Sequence, residues 1–286
     1  MRQGVLQLRE FYASPLGRAA RTMVARKVNE AWETANNLDV LALGYATPFL
    51  DSVSRGARRA IAAMPAAQGV EAWPMGERNL ATLVDEMALP FQPSAFDRVL
   101  AVHALEEADN PLALLREVNR VLAPSGRAIL VVTARHGVWA DAEATPFGQG
   151  RPYSRRQLET LVREADLEPT GWTRALYAPP FGWAARWAEG FEQAGALFWP
   201  PFAGLILLEV IKQTFAVRPK GAKVRARAPV PGVLQPATRG RAFSDIARRF
   251  EIDATGAVSS GAGTNSPGPA LGGGPVLVHP QVRRVE

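Results

Sequence analysis

Between residues 35 and 217, short apolar runs alternate with amphipathic patterns. Runs of small or branched apolar residues bounded by turn signals read as buried strands. The spacing predicts them over Asp39–Leu43, Ala60–Met64, Thr82–Asp85, Arg98–His103, Arg127–Thr133, Gly171–Tyr177 and Gly204–Gln213. The clearest helix between them is "NPLALLREVNRVLAP", where Leu112, Leu115, Val118, Val121 and Leu122 recur at three-to-four spacing and Pro124 ends the segment. A second is "SRRQLETLVREADL", opened by a capping box of Ser154 and Gln157. In the turn "APSG", Gly126 is suited to a positive φ. The alternation predicts an α/β fold with right-handed crossovers and a mostly parallel sheet covered on both faces. Ligands of such sheets sit at the carboxyl ends of the strands, where "VLALGYATPFL" (Val40 to Leu50) should lie.

The flanks differ in kind. Residues 1–34 form a basic, helical segment without the apolar core of a secretory signal. Residues 218–286 are rich in Gly and Pro and cannot bury enough apolar surface to offset their ordering entropy, so they are expected to be mostly disordered, with one amphipathic island at Gly240–Ile252. That tail holds 11 of the 33 Lys/Arg and 4 of the 27 Asp/Glu, a net of +7, which leaves the rest of the chain at −1. The basic character therefore belongs to the tail. Its Lys and Arg lack interleaved aromatics, so no specific nucleic-acid partner is expected. The most apolar stretch, Gly195–Ile211, is broken by Pro200 and Pro201 and carries Glu209, which argues against a membrane span. Absence of cysteine excludes disulfides and thiolate metal sites and is compatible with the cytoplasm. His136 and His279 are isolated, and no metal site is expected.

The stretch Met87–Val132 resembles the central block of class I S-adenosylmethionine-dependent methyltransferases of the type 11 family. The matching features are Asp85, Leu89-Pro90-Phe91, Phe96-Asp97-Arg98-Val99, Leu105-Glu106-Glu107, "LLREVNRVLAPSG" and the strand Arg127–Val132. The resemblance covers roughly residues 35–217 and implies a Rossmann-like class I methyltransferase fold, S-adenosyl-L-methionine as cofactor and a small-molecule substrate. It places Asp85, Glu86 and Met87 at the adenine, with the Asp85 carboxylate accepting the exocyclic amine and a following backbone N–H reaching a ring nitrogen. His103 would end the fourth strand beside the methionine end, as a general base or as a packed wall residue. Asp97 reads as structural, bonding local backbone.

In the family an acidic residue and Gly-x-Gly-x-Gly usually follow the first strand. Here Ala42 replaces the acid and Gly44 remains; Tyr45 follows, and Ala46 and Pro48 replace the later glycines. Met64 stands where the resemblance expects a ribose-binding carboxylate. The cofactor contacts it implies are therefore Gly44, Tyr45, Ala46, Met64, Asp85, Glu86, Met87 and His103. Each absent charge-assisted hydrogen bond removes about 1.5–3 kcal/mol. In the loop Thr145–Ser154, Arg151 and Tyr153 can face the mouth of the site, Tyr153 as a second candidate for proton removal. The Trp-rich insert at 181–202, with Trp183, Trp187, Phe191, Phe198 and Trp199, reads as a lid over an apolar pocket or a protein-partner surface. Its weak basic character argues against a membrane surface. Two functions follow: a methyltransferase on a small or apolar acceptor, or a non-catalytic relative kept as a binding or regulatory module.

Overall fold

The computed structural model describes residues 2–32, 35–198 and 202–213. The chain divides into two units, Met1–Ala254 and Thr255–Glu286, and every described residue lies in the first. The tail 218–286, with its helical island, and Trp199 lie outside the described residues, as do the side chains of Trp183 and Phe198.

Seven strands form one sheet: β1 (Asp39–Gly44), β2 (Arg59–Pro65), β3 (Ala81–Val84), β4 (Phe96–Val102), β5 (Leu122–Thr133), β6 (Leu167–Ala175) and β7 (Leu205–Lys212). Their order is β3-β2-β1-β4-β5-β7-β6. All pairings are parallel except those of β7, which runs antiparallel to β5 and β6. The sheet is Rossmann-like and mostly parallel, as the alternation predicts. The strand order reverses between β1 and β4, which puts a crevice at their carboxyl ends.

Strand periodicity splits the core in two. Val40 and Ala42 of β1 point to one face, and Leu41 and Leu43 to the other. The second face is covered by α4 (Pro111–Val121) and α5 (Arg155–Glu164), through Leu114, Leu115, Val118 and Val121 and through Leu158 and Val162. Asn110 caps α4 by accepting the Ala113 N–H, and the Ser154–Gln157 box caps α5. The first face is covered from elsewhere in the sequence, by α1 (Val5–Ala13) and α2 (Pro15–Trp32). Between them Ser14 accepts the Gly17 N–H, and Pro15 takes the first helical position, where no N–H is needed.

Three local expectations are corrected. Strand–helix alternation lapses after β1: a single turn, α3 (Asp51–Ser54), leads to β2, and no helix joins β2 to β3 or β3 to β4. The connection 66–80 carries Gly69, Pro74 and Gly76 with no helical apolar stripe, and α1 and α2 supply the missing cover. In "APSG" the positive φ (62°) falls on Ser125, not Gly126. Gly126 is needed because a Cβ there would stand 2.9 Å from the Ala123 carbonyl oxygen. Asp97 is structural, though over a long range: its carboxylate accepts the Asp39 N–H at 2.9 Å and ties β4 to β1.

Candidate functional site

β1 ends at Gly44 with φ 78°, directly against β4. A Cβ on Gly44 would lie 2.3 Å from the Val102 carbonyl oxygen, which also accepts the Tyr45 N–H at 2.8 Å. The glycine is therefore demanded by the neighbouring strand, before any ligand is considered. Ala46 has φ −94°, so its Cβ carries no strain, and Pro48 enters a 3-10 turn at Thr47–Phe49.

Above this turn the space is filled by aromatic side chains. Tyr12 of α1 stacks on Tyr45, with ring centroids 5.7 Å apart and planes inclined by 17°. It meets Phe49 edge-on at 5.4 Å, and its hydroxyl shares a 2.7 Å hydrogen bond with His103 Nε2. Phe147 closes the other side of His103, with centroids 4.8 Å apart. The Tyr45 hydroxyl donates to Glu71 at 2.7 Å, and Arg9 of α1 lies 3.8 Å from the same carboxylate. Burial pushes the His103 imidazole down to about 3 and raises the Tyr12 phenol well above its usual value, so this pair is uncharged. Ala42 and Met64 are fully buried in the same apolar cluster.

Beside the aromatic plug a cleft of about 630 Å³ opens at the ends of β2 and β3. Pro65, Val84, Asp85, Glu86 and Met87 form one wall. Glu106, Glu107, Gly150 and Arg151 form the other. Asp85 is exposed; one of its oxygens accepts the Met87 N–H at 2.9 Å, and its carbonyl accepts the Ala88 N–H at 3.1 Å. The Glu106 carboxyl, 4% exposed, accepts the Thr133 N–H at 3.1 Å, and burial lifts it to about 7. Burial also raises the Glu107 carboxyl. Tyr153 is buried, its hydroxyl donating to the Leu105 carbonyl at 3.2 Å and its pKa pushed up to about 12 by burial.

The structure thus brings Gly44, Tyr45, Ala46, Met64 and His103 together under α1, and Asp85, Glu86 and Met87 together in the open cleft. Tyr153 borders neither as a free group, and Arg151 lines the cleft. The element over the carboxyl edge is α1. The insert, a 3-10 segment at Gly182–Trp187 followed by α6 (Ala188–Phe198), lies against α2, where Arg26 approaches Glu189 at 3.6 Å, and Trp187 is 66% exposed. Sequence reasoning missed Tyr12, Glu71 and Arg2. The aromatic pair Phe11-Tyr12 was the only local signal, and an i, i+4 stripe of Leu8 and Tyr12 does not say which surface it covers. Among the described residues no His, Asp and Glu side chains converge as metal ligands, and no helix is long and apolar enough to cross a membrane.

Residues 41–130, which hold Gly44, Tyr45, His103 and the Asp85 wall of the cleft, match the family model described as a methyltransferase domain, of type 11. This segment is similar to the type 11 methyltransferase domain. Its curated relatives include 27-O-demethylrifamycin SV methyltransferase of Amycolatopsis mediterranei, 33% identical over 100 residues, or 32% of this chain and 37% of that protein. An uncharacterized protein of Mycobacterium tuberculosis is 29% identical over 100 residues, 32% of this chain and 35% of its own. The matches thus span about a third of the length of these relatives. Among solved structures the [4+2]-cyclase SpnF is similar at 20% identity with a TM-score of 0.47, covering 67% of this chain and 80% of that one.

The family's cofactor meets two different environments here. The cleft beside Asp85 has the room and the exposed carboxylate that an adenosine group needs. At the position where the resemblance expects the methionine moiety the fit fails: the Ala42 side chain offers no polar atom, and Tyr12 stacks on Tyr45 beside Gly44, while Met64 leaves the ribose without the expected carboxylate.

Proposed function

We propose that the domain takes an S-adenosyl ligand by its adenosine half in the cleft beside Asp85, and that methyl transfer to a small or apolar acceptor requires α1 to leave Tyr45. The observation that carries this is the contrast between an open acidic cleft at β3 and an aromatic plug at Gly44. S-adenosylmethionine, when bound, supplies a methyl group already activated on a sulfonium, so the chain has only to bind, orient and exclude water. Asp85 accepts the adenine amine, and the exposed Met87 side chain covers the ring. Asp85→Ala is expected to weaken S-adenosylhomocysteine binding by about one to two decades, read by calorimetric titration of a variant with unchanged circular dichroism. Unchanged affinity would overturn the assignment.

A second reading is favoured by one observation: Ala42 and Met64 stay apolar wherever α1 lies. On that reading the domain is a binding module, and the cleft serves recognition without transfer.

A further inference from the structure

The cleft is more acidic than an adenosine group requires. Glu86, Glu106, Glu107 and Asp109 line it together with Asp85, with Arg2 and Arg151 as the lining cations among the described residues. Residues 2–5 cross it as a strap: the Gln3 N–H donates to Glu107 at 2.8 Å, and the Val5 N–H to the Gln68 carbonyl at 2.8 Å. The Arg2 guanidinium lies inside, its side chain 6% exposed. It pairs with Glu86, donates from Nη2 to the Ala104 carbonyl at 3.1 Å, and holds Nε 3.7 Å from Glu107.

Arg2 does not use all that the cleft offers. The second oxygen of Glu106 is buried with no hydrogen-bond partner, as are the Thr133 hydroxyl and the Arg2 Nε. Leaving a buried carboxyl oxygen unpaired costs about 1–3 kcal/mol, and in a group that lines a cleft it marks room for a hydrogen-bonding, cationic partner that would hold the carboxyl ionised. No metal fits, because the carboxylates do not converge. The acceptors instead surround a flat group with several N–H donors, the geometry of a guanidinium.

We propose that this cleft binds a small guanidinium-bearing molecule, seated where the Arg2 guanidinium lies between Glu86, Glu107 and the Ala104 carbonyl and within reach of Glu106, so that ligand and Arg2 compete for one position. The site joins Glu86, which follows β3, to the carboxylates that follow β4, and it needs neither the Asp85 carboxylate nor a bound S-adenosyl ligand.

Agmatine, titrated calorimetrically into the full chain, is the probe. Arg2→Ala is expected to bind it at least about tenfold more tightly than the parent, because the internal competitor is gone. Adding Glu86→Gln and Glu107→Gln should remove that gain, and the neutral analogue N-butylurea should not bind. Arg2→Met, which keeps the packed stem, replaces Arg2→Ala if the alanine variant fails to fold. A folded Arg2 variant that binds agmatine no better than the parent, or binds N-butylurea equally, overturns the proposal. S-adenosylhomocysteine titrated into the same variants reads the other site separately.

Discussion

Gly44→Ala is expected to destabilise the domain by about 2–5 kcal/mol: about 1–2 for holding a non-glycine residue in the left-handed region and about 1–3 for the overlap. The residue has φ 78°, and the new Cβ would meet the Val102 carbonyl oxygen at 2.3 Å. Neither backbone can yield easily, since β1 and β4 are paired at Gly44 and Val102 in the middle of the sheet. A loss of this size is a large share of the 5–15 kcal/mol that holds a typical domain together. Urea denaturation of parent and variant measures it. Ala46→Gly is the control: Ala46 has φ −94°, so the change should cost less than about 1 kcal/mol. A Gly44→Ala protein as stable as the parent would mean that β4 does not dictate this glycine.

Tyr12→Ala is expected to have two effects of opposite sign. Removing a fully packed aromatic side chain should cost about 3–5 kcal/mol of stability. The same truncation opens the volume between Tyr45, Phe49 and His103 and should raise affinity for S-adenosylhomocysteine by about tenfold or more, with adenosine little affected. Tyr12→Phe separates the effects. It keeps the ring, loses the bond to His103 at a cost of about 1–3 kcal/mol, and leaves the plug in place, so ligand affinity should stay at the parent level. Equal gains in both variants would show that the hydroxyl, not the ring, excludes the ligand.

These residues mark what a linear pattern can and cannot carry. Ser154 announces its helix because capping is a contact over three residues, and Leu115, Val118 and Val121 of the expected stripe are buried in α4, whereas Leu122 already belongs to β5. The strands were legible for the same local reason, although β5 begins at Leu122, before the turn that the Pro and Gly suggested, and β6 begins at Leu167. The altered loop was visible as Ala42, Ala46 and Pro48, but its consequence was not. That Tyr12 lies on Tyr45, 33 positions away in sequence, follows from the docking of α1 on the sheet. The partnerless oxygen of Glu106 is likewise a product of packing; in the sequence it is one of two adjacent glutamates ahead of α4. His103, expected to end the fourth strand, lies just beyond β4 with φ 51°, and its buried, uncharged state depends on Tyr12 and Phe147 from two distant segments.

The central claim is that the cleft accepts the adenosine half of an S-adenosyl ligand while α1 excludes the methionine half. Calorimetric titration of the full chain with S-adenosylhomocysteine and with adenosine, side by side, tests it most directly. The account predicts weak binding of both, with dissociation constants within about threefold of each other, since only the shared half finds contacts. S-adenosylhomocysteine binding more than tenfold tighter than adenosine would contradict it, because the methionine half would then have a site that the aromatic plug denies.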